Sequence, residues 1–165
     1  PTRMSRSLLV CDATVRGQQV SFGTVHLESL GNQKLREEQM DVIFPALAAA
    51  SPHSTLVGDL NFSDDWPENR CIDAEYTDAW LLCRPGEEGA TMPANVRYPA
   101  WRPDHVLCRS TTGLLAPTAI EIVGSDPLPG RPCKTCGDYG RVCSPSDHFG
   151  LHATIGIAGG AGGAG

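Results

Sequence analysis

Two strand-like segments rich in apolar residues lie near the start of the chain, residues 7–15 and 19–27, and residues 20–25 of the second alternate between two faces. Alternation with a period of two is typical of β-strands that have one buried face. Arg16 and Gly17 lie between the two segments and supply a short turn. The pattern therefore predicts an antiparallel hairpin.

The next segment has a longer hydrophobic spacing. Four apolar residues recur at intervals of three to five positions: Leu35, Met40, Ile43 and Leu47. This spacing predicts a helix, and Asn32 is a suitable N-cap for it. We expect Pro45 to kink or end the helix, because proline cannot donate the backbone hydrogen bond.

Short apolar runs predict further strands over residues 54–57, 105–109, 119–123 and 151–157, and residues 76–83 read as a short helix. Hairpin connections and interspersed helices favour the α/β (α+β) class, with a mixed sheet layered against helices. We expect a domain over residues 1–157, followed by a flexible Gly/Ala tail over residues 158–165.

Composition narrows the classes of function. The 165 residues are 41% hydrophobic and carry a net charge of −6, enough apolar content for one folded domain. An acidic balance argues against a protein that holds nucleic acid by bulk charge. No apolar run approaches the ~18 residues of a membrane helix, which excludes that class. Nine carboxylates against two arginines over residues 59–88 predict a largely solvated acidic loop.

The seven cysteines do not indicate a disulfide scaffold. Cys11 and Cys108 lie in apolar strand-like runs, so we expect small buried side chains in a reducing compartment. The spacing of Cys133, Cys136 and Cys143 with His148 is close to that of a compact zinc site, and His152 is an alternative fourth ligand. A zinc-binding module is thus one hypothesis, and an inserted loop with free thiols is the other.

The run Gly58-Asp59-Leu60-Asn61 follows an apolar strand. Asp59 and Asn61, two positions apart, project to the same side of an extended segment. A carboxylate beside an amide suits water activation, with the aspartate polarising the water and the asparagine orienting it or a phosphate oxygen. In isolation, the same four residues also form ordinary Asx turns.

Two further motifs lie at strand ends. Asp147 and His148 precede the last predicted strand, where a charged histidine can hold a developing oxyanion, although such a loop often carries only a solvated histidine. His26 and Ser29 close the second strand, and both can donate to a phosphate. Each signal is weak by itself.

Taken in order, the motifs resemble the endonuclease/exonuclease/phosphatase superfamily. Its hallmarks are a strand ending in Thr-x-His, a Gly-Asp-x-Asn turn, an Arg-x-Asp strand entry and a final Ser-Asp-His. They stand here as residues 24–26, 58–61, 102–104 and 146–148. The resemblance implies a DNase-I-like four-layer αββα sandwich that hydrolyses phosphodiesters with Mg²⁺, or with Mn²⁺ in its place.

The resemblance also implies roles for individual residues. The catalytic set is Asp59, Asn61, Asp147 and His148. Asp59 would activate or position water, Asn61 would orient it, and His148 would stabilise charge on the phosphoryl oxygens. Asp147 would also contact metal-bound water.

The same resemblance assigns His26, Ser29 and Arg102 to substrate binding. Asp104 would support the two histidines without contacting the substrate itself.

Within the superfamily, His26-Leu27-Glu28-Ser29, Asp78-Ala79-Trp80 and residues 145–151 are most similar to the branch that acts on 5′-phosphotyrosyl-DNA. That branch implies a DNA substrate carrying a phosphotyrosyl adduct, and a nuclear, intracellular location. Abasic-site endonucleases, deadenylases, sphingomyelinases and phosphoinositide phosphatases of the same superfamily are alternatives. A degenerate, non-catalytic relative is a further one, disfavoured by the retained acidic residues and His148.

One departure from the family pattern matters. The family carries an asparagine and a metal-ligating glutamate upstream of the hairpin, and neither has a counterpart in this chain. Glu28, Glu37 and Glu38 stand in the wrong motif context to replace that glutamate. We therefore expect the chain to be the C-terminal half of the sandwich, without activity of its own.

Overall fold

The computed structural model describes residues 1–94, 98–126, 128 and 145–158. A short 3-10 helix spans Pro67–Cys71. In chain order, the strands and α-helices are β1 (Leu8–Val15), β2 (Gln18–His26), α1 (Gln33–Ala50), β3 (His53–Asp59), β4 (Tyr76–Asp78), α2 (Ala79–Cys83), β5 (Asp104–Ser110), β6 (Leu115–Val123) and β7 (Gly150–Ile157).

The described strands form two sheets. The larger one has the order β1-β2-β3-β5-β4, and β6 pairs with β7 in the smaller one. β1 and β2 form the predicted antiparallel hairpin, whereas β2 and β3 are parallel because α1 carries the chain back across the sheet. The mixed α/β class predicted from the sequence is confirmed.

Helix α1 covers one face of the larger sheet. Its buried apolar residues pack with Val25, Leu56 and Leu107 from three different strands. Pro45 does not end the helix, which continues to Ala50. Asn32 occupies the N-cap position as predicted, but its side chain makes no capping hydrogen bond and donates instead to the backbone oxygen of Ser29 over 2.7 Å.

The opposite face carries the smaller sheet and α2. Trp80 and Val106 pack with Ile120 of β6, and Leu151 of β7 lies against the same cluster. The predicted helix over residues 76–83 is divided, because the Asp78 carboxylate accepts from two backbone amides and starts α2 only at Ala79. The described residues are thus layered as helix, sheet and sheet.

Part of the larger sheet is left uncovered on this second face. Leu9, Phe22 and Val57 are 68%, 44% and 37% exposed, and Phe22 and Val57 line an open pocket together with residues of β7. Cys11 pairs with Phe22 across the hairpin and is exposed, so its predicted burial is wrong. Cys108 is buried as expected, and burial raises the pKa of its thiol to about 11.

No helix among the described residues is long and apolar enough to cross a membrane.

Candidate active site

Three polar residues lie side by side at one edge of the larger sheet. In the strand register, His26 of β2 pairs with Asp59 of β3, and Asp59 pairs with Asp104 of β5. Strand alternation places them on the same face as Val57 and Val106, which is the face toward the smaller sheet. The motifs that are far apart in sequence therefore meet in one row.

The close approach of β3 to β2 depends on Gly58. Its φ is +142°, and a Cβ at this position would lie 1.9 Å from the backbone oxygen of Val25. With no side chain in the way, the Leu27 amide donates to the backbone oxygen of Asp59 over 2.9 Å. His26 Nε2 then lies 3.2 Å from Asp59 Oδ2. Glycine is needed here for steric reasons as well as conformational ones.

Asn61 completes the turn that follows β3. Its backbone amide donates to Asp59 Oδ1 over 2.8 Å, so the motif does form an Asx turn. Its side-chain amide donates to the backbone oxygen of Leu27 over 3.0 Å. One N–H and the amide oxygen of Asn61 are not used in these two bonds. The turn therefore fixes Asn61 beside Asp59 and leaves it groups for a ligand.

His148, in the loop that leads into β7, extends the row. Its Nδ1 lies 2.8 Å from Asp104 Oδ2, which also accepts from the Thr91 hydroxyl over 2.6 Å. The Thr91 backbone oxygen accepts from the Phe149 amide over 2.7 Å and so ties the His148 loop to the same place. The expected support of a histidine by Asp104 matches this geometry.

The pKa values of the two aspartates are shifted in opposite directions. Burial, together with the Asp104 charge, raises the pKa of Asp59, although the Asn61 amide and His26 lower it. Burial also raises the pKa of Asp104, but the hydrogen bond from His148 outweighs it and the net pKa is lowered. Asp104 therefore stays ionised.

The hydrogen bond to Asp104 raises the pKa of His148 despite the opposing effect of burial. The pair thus favours a charged imidazolium beside a more basic Asp59 carboxylate. A site with a proton acceptor and a fixed cation can accept a proton from water and stabilise an oxyanion.

Two predicted site residues lie at the margin of the row. The Ser29 hydroxyl donates to Met4 Sδ over 3.3 Å, and Ser29 lines the same cleft as Asn61. Asp147 is exposed, and its carboxylate accepts from the Ser146 hydroxyl over 3.3 Å. Both side chains are accessible to a ligand but do not contact the row in this structure.

The expectation that Arg102 binds substrate is not met by its position. Its side chain is 1% exposed, Nη2 pairs with Asp64, and Nη2 also donates to Asp78 Oδ2 over 3.1 Å. His105 donates or accepts at the same Asp78 oxygen over 2.9 Å. Arg102 therefore holds the loop after β3 to the entry of β5 from inside the protein.

The same network contains a cluster of potential metal ligands. Oxygen or nitrogen atoms of Asp64, Asp78 and His105 lie within 4.8 Å of one another. The Arg102 guanidinium already supplies the positive charge at these carboxylates, and the second His105 nitrogen contacts the backbone oxygen of Phe62. We interpret the cluster as a buried ion-pair network, because a metal would have to displace Arg102.

Oxygen donors at the row come from Asp59, Asn61 and Asp104, and the exposed Asp147 lies at its margin. Over the described part of the chain, no other three His, Cys, Asp or Glu ligand atoms lie within 4.8 Å of one another, so the row is not a closed protein cage. Mg²⁺ binds through few carboxylates and keeps several waters, so a sparse set of oxygens fits this ion.

The predicted zinc ligands lie partly outside the described residues. Cys133, Cys136 and Cys143 lie outside the described residues. The two histidines considered with them contact carboxylates: His148 pairs with Asp104, and His152 pairs with Glu121 over 3.0 Å. The zinc site stays a prediction.

Sequence reasoning missed Thr91, which is fully buried and hydrogen-bonded to Asp104. A single threonine in a loop carries no motif, so nothing in the pattern marks it. It also missed the stacked pair Trp66 and Trp101, because 35 residues separate them and only the fold brings them together.

Comparison with known proteins bears on this geometry. No protein-family model matches the chain. Tyrosyl-DNA phosphodiesterase 2 of Rattus norvegicus is 29% identical over 169 residues, which is 94% of this chain and 43% of that protein. The Danio rerio protein of the same name is 29% identical over 171 residues. The chain thus spans less than half the length of the curated relatives it matches.

Solved structures give the fold. Danio rerio TDP2 complexed with single-strand DNA product superposes with a TM-score of 0.74 at 26% identity, over 94% of this chain and 64% of that one. An endonuclease/exonuclease/phosphatase from Beutenbergia cavernae gives 0.66 at 22% identity, over 93% and 40%. The resemblance drawn from the motifs is confirmed: the chain has the fold of endonuclease/exonuclease/phosphatase proteins, and its sequence is similar to tyrosyl-DNA phosphodiesterase 2 over 94% of its length.

Proposed function

We propose that the chain carries most of the active site of a metal-dependent phosphodiesterase that hydrolyses 5′-phosphotyrosyl bonds at DNA ends. The observation that supports this most is the row formed by His26, Asp59, Asp104 and His148, which brings four separate motifs together at one edge of the sheet. Similarity to tyrosyl-DNA phosphodiesterase 2 supports the phosphotyrosyl substrate. A DNA substrate in turn favours a nuclear location.

Phosphoryl transfer needs positioning and charge neutralisation more than covalent chemistry from the protein. In the proposed reaction, Asn61 orients a water that attacks phosphorus, and Asp59 Oδ2 accepts its proton. The bond between phosphorus and the tyrosyl oxygen breaks, and the phenolate leaves with its electron pair and takes a proton from solvent. The His148 imidazolium, held charged by Asp104, stabilises the phosphoryl oxygens. His26 and Ser29 contact the phosphate from the β2 side. The pKa shifts favour this assignment of roles, because burial raises the pKa of Asp59 whereas the hydrogen bond from His148 outweighs burial and lowers the pKa of Asp104.

Mg²⁺ would be held by Asp147 with water, and Mn²⁺ would serve in its place. When bound, the ion supplies positive charge to the phosphate oxygens. Since the described residues do not gather a three-ligand site at the row, we propose that the 165-residue chain is inactive alone and needs a further acidic ligand.

A chimera tests the proposal without requiring activity from the isolated chain. The 165 residues replace the matching region of rat tyrosyl-DNA phosphodiesterase 2, and the product is assayed with Mg²⁺ on an oligonucleotide that carries a 5′-phosphotyrosine. We expect turnover by the chimera and none by the chain alone. Asp59→Asn should lower kcat/KM by roughly 10²–10⁴-fold, the range for loss of a general base.

Asp41→Asn is the matched control, because Asp41 is an exposed aspartate on α1, across the sheet from the row. It should leave kcat/KM unchanged. Full activity of the Asp59→Asn chimera would remove Asp59 from the mechanism. A folded chimera without any phosphodiesterase activity would refute the proposed function.

A further inference from the structure

Glu28 is a buried carboxylate that takes no part in the proposed reaction. Its side chain is 0% exposed, and it lies two residues after His26, where β2 ends. Burial of an ionised group costs free energy unless hydrogen bonds compensate for it. The partners of this carboxylate therefore indicate its role.

Three donors from the start of the chain converge on Glu28 Oε1. They are the Thr2 hydroxyl at 2.6 Å, the Arg3 amide at 2.5 Å and the Met4 amide at 2.9 Å. The Thr2 hydrogen bond lowers the pKa of Glu28, although burial raises it. We call residues 1–4 the strap, because this carboxylate holds them across the end of β2.

Helix α1 fixes the same segment from its other side. Gln39 accepts from the Glu28 amide over 3.0 Å and donates to the backbone oxygen of Pro1 over 3.0 Å. Arg36 Nη1 donates to the backbone oxygens of Glu28 and Leu30 over 3.1 and 2.8 Å. Gln39 thus joins the strap to the segment after β2, and Arg36 holds that segment in place.

Ser29 lies at the centre of the fixed segment. The next residue, Leu30, has a φ of +62°, in the left-handed region that is unfavourable for a residue with a Cβ. Such backbone strain persists only where surrounding contacts impose it, and it is frequent at functional sites. The Ser29 hydroxyl donates to Met4 Sδ over 3.3 Å, so the strap touches a residue assigned to the substrate phosphate.

A thioether is a suitable partner for a hydroxyl that has to bind phosphate later. Sulfur is a weak acceptor, so it orients the Ser29 hydroxyl in the free protein and releases it to a charged phosphate oxygen, which accepts more strongly. Met4 is 41% exposed, which leaves this side of the segment open to a ligand.

We propose that Glu28 is a positioning residue, which holds the strap so that Met4 presets the Ser29 hydroxyl for the substrate phosphate. The role of Ser29 rests on the proposed function, whereas the strap rests on the contacts above. Loss of Glu28 should weaken phosphate binding and leave the attack of water unchanged, because the contact between Asp59 and Asn61 does not involve the strap.

Digestion with trypsin tests the strap in the absence of any ligand. Cleavage after Arg3 requires residues 1–4 to detach from Glu28. In the 165-residue chain, Glu28→Ala should speed this cleavage roughly 10-fold or more, since three hydrogen bonds are lost. Glu28→Gln should speed it less, because its amide oxygen still accepts. Cleavage after the exposed Arg16, in the β1–β2 turn, is the internal reference.

A double-mutant cycle tests whether Glu28 acts through Ser29. Fluorescence anisotropy compares binding of a hexathymidylate with a 5′-phosphate to binding of the same strand with a 5′-hydroxyl, each carrying a 3′ dye. Glu28→Ala and Ser29→Ala should each reduce the preference for the phosphate roughly 2–10-fold, the contribution of one hydrogen bond. The double variant should lose no more than the larger single loss, because both changes remove the same contact. Glu28→Gln should restore most of the preference.

Kinetics of the chimera give a second signature. Glu28→Ala should raise KM for the 5′-phosphotyrosyl oligonucleotide by the same factor and leave kcat unchanged, because it alters binding rather than chemistry. Asp59→Asn should instead lower kcat.

Two further variants control the experiment. Glu38→Ala removes a glutamate of α1 that pairs only loosely with Lys34, over 3.8 Å, and should change neither cleavage nor binding. Circular dichroism verifies that each variant is folded. If Glu28→Ala does not fold, Met4→Leu decides: it should reduce the phosphate preference of the unaltered chain but not that of Ser29→Ala.

Three results would overturn the inference: an unchanged phosphate preference in folded Glu28→Ala or Met4→Leu, additive losses in the double variant, or equal binding of the two strands by the unaltered chain. Hydrolysis by the chimera with a KM that Glu28→Ala does not alter would refute the inference and leave the proposed function intact. A cycle with the expected result, in a chain whose folded chimera does not hydrolyse the substrate, would refute only the proposed function.

Discussion

Replacing Arg102 by methionine removes a fully buried guanidinium that pairs with Asp64 and Asp78. Asp78 is only 8% exposed, so it would keep its carboxylate in the interior with His105 as its remaining side-chain partner. Removal of one partner of a buried pair costs about 3–5 kcal/mol. We expect a loss of that size in the free energy of unfolding at pH 7.

The same network predicts that the free energy of unfolding depends on pH. Burial raises the pKa of Asp78, but His105 and Arg102 outweigh it and lower the pKa from 3.8 to about 2. Each pKa unit corresponds to about 1.4 kcal/mol, so ionised Asp78 contributes roughly 2 kcal/mol of stability above pH 4. That contribution is lost as the pH falls from about 4 to about 2. In Arg102→Met the folded-state pKa of Asp78 rises toward its unfolded value, so the loss of stability on acidification becomes smaller.

Urea unfolding followed by tryptophan fluorescence, repeated between pH 2 and pH 7, measures both effects. Arg102→Lys keeps the charge without the fork of donors and should recover part of the stability. Arg70→Met removes an arginine whose ion pair with Glu37 is largely exposed, and should leave the transition unchanged. Two results would refute the reasoning. One is a destabilisation below about 1 kcal/mol for Arg102→Met. The other is a free energy of unfolding that falls with acid in the same way in Arg102→Met and in the unaltered chain.

Two further predictions concern the row. Gly58→Ala should destabilise the chain by more than Gly113→Ala. Both residues have positive φ, for which backbone strain alone costs about 1–3 kcal/mol, but only a Cβ at Gly58 meets the backbone, 1.9 Å from the Val25 oxygen. Equal thermal unfolding temperatures of the two variants would contradict the predicted clash. Asp104→Asn should lower the pKa of His148, because the hydrogen bond to Asp104 is what raises it. NMR titration of the histidine ring signals measures this, and an unshifted His148 would exclude the pairing.

The elements that the sequence predicts well are those fixed by local patterns. The two strand-like segments over residues 7–15 and 19–27, joined by the turn at Arg16 and Gly17, specify the β1–β2 hairpin. Gly58 with Asp59 marks the end of β3, because contact with Val25 requires a glycine there. Pro45 shows the limit of such reasoning. Packing of α1 against three strands stabilises the helix beyond the proline, and that packing is not visible in local spacing.

The parts of the site that could not be predicted depend on contacts between distant segments. Arg102 stands in a motif shared with the superfamily, but whether it faces substrate or interior is decided by Asp64 and Asp78, 38 and 24 residues away. The acidic loop was expected to be solvated, whereas Glu68 is 1% exposed and pairs with Arg36. Motif residues thus identify a site, while burial decides the role of each.

The central claim is that the row at the sheet edge performs phosphodiester hydrolysis. Hydrolysis of a 5′-phosphotyrosyl oligonucleotide by the chimera, measured with and without Asp59→Asn, tests it most directly. The account predicts turnover with Mg²⁺ and a roughly 10²–10⁴-fold lower kcat/KM for Asp59→Asn, with Asp41→Asn unaffected. Equal kcat/KM for the Asp59→Asn chimera and the unaltered chimera would contradict it.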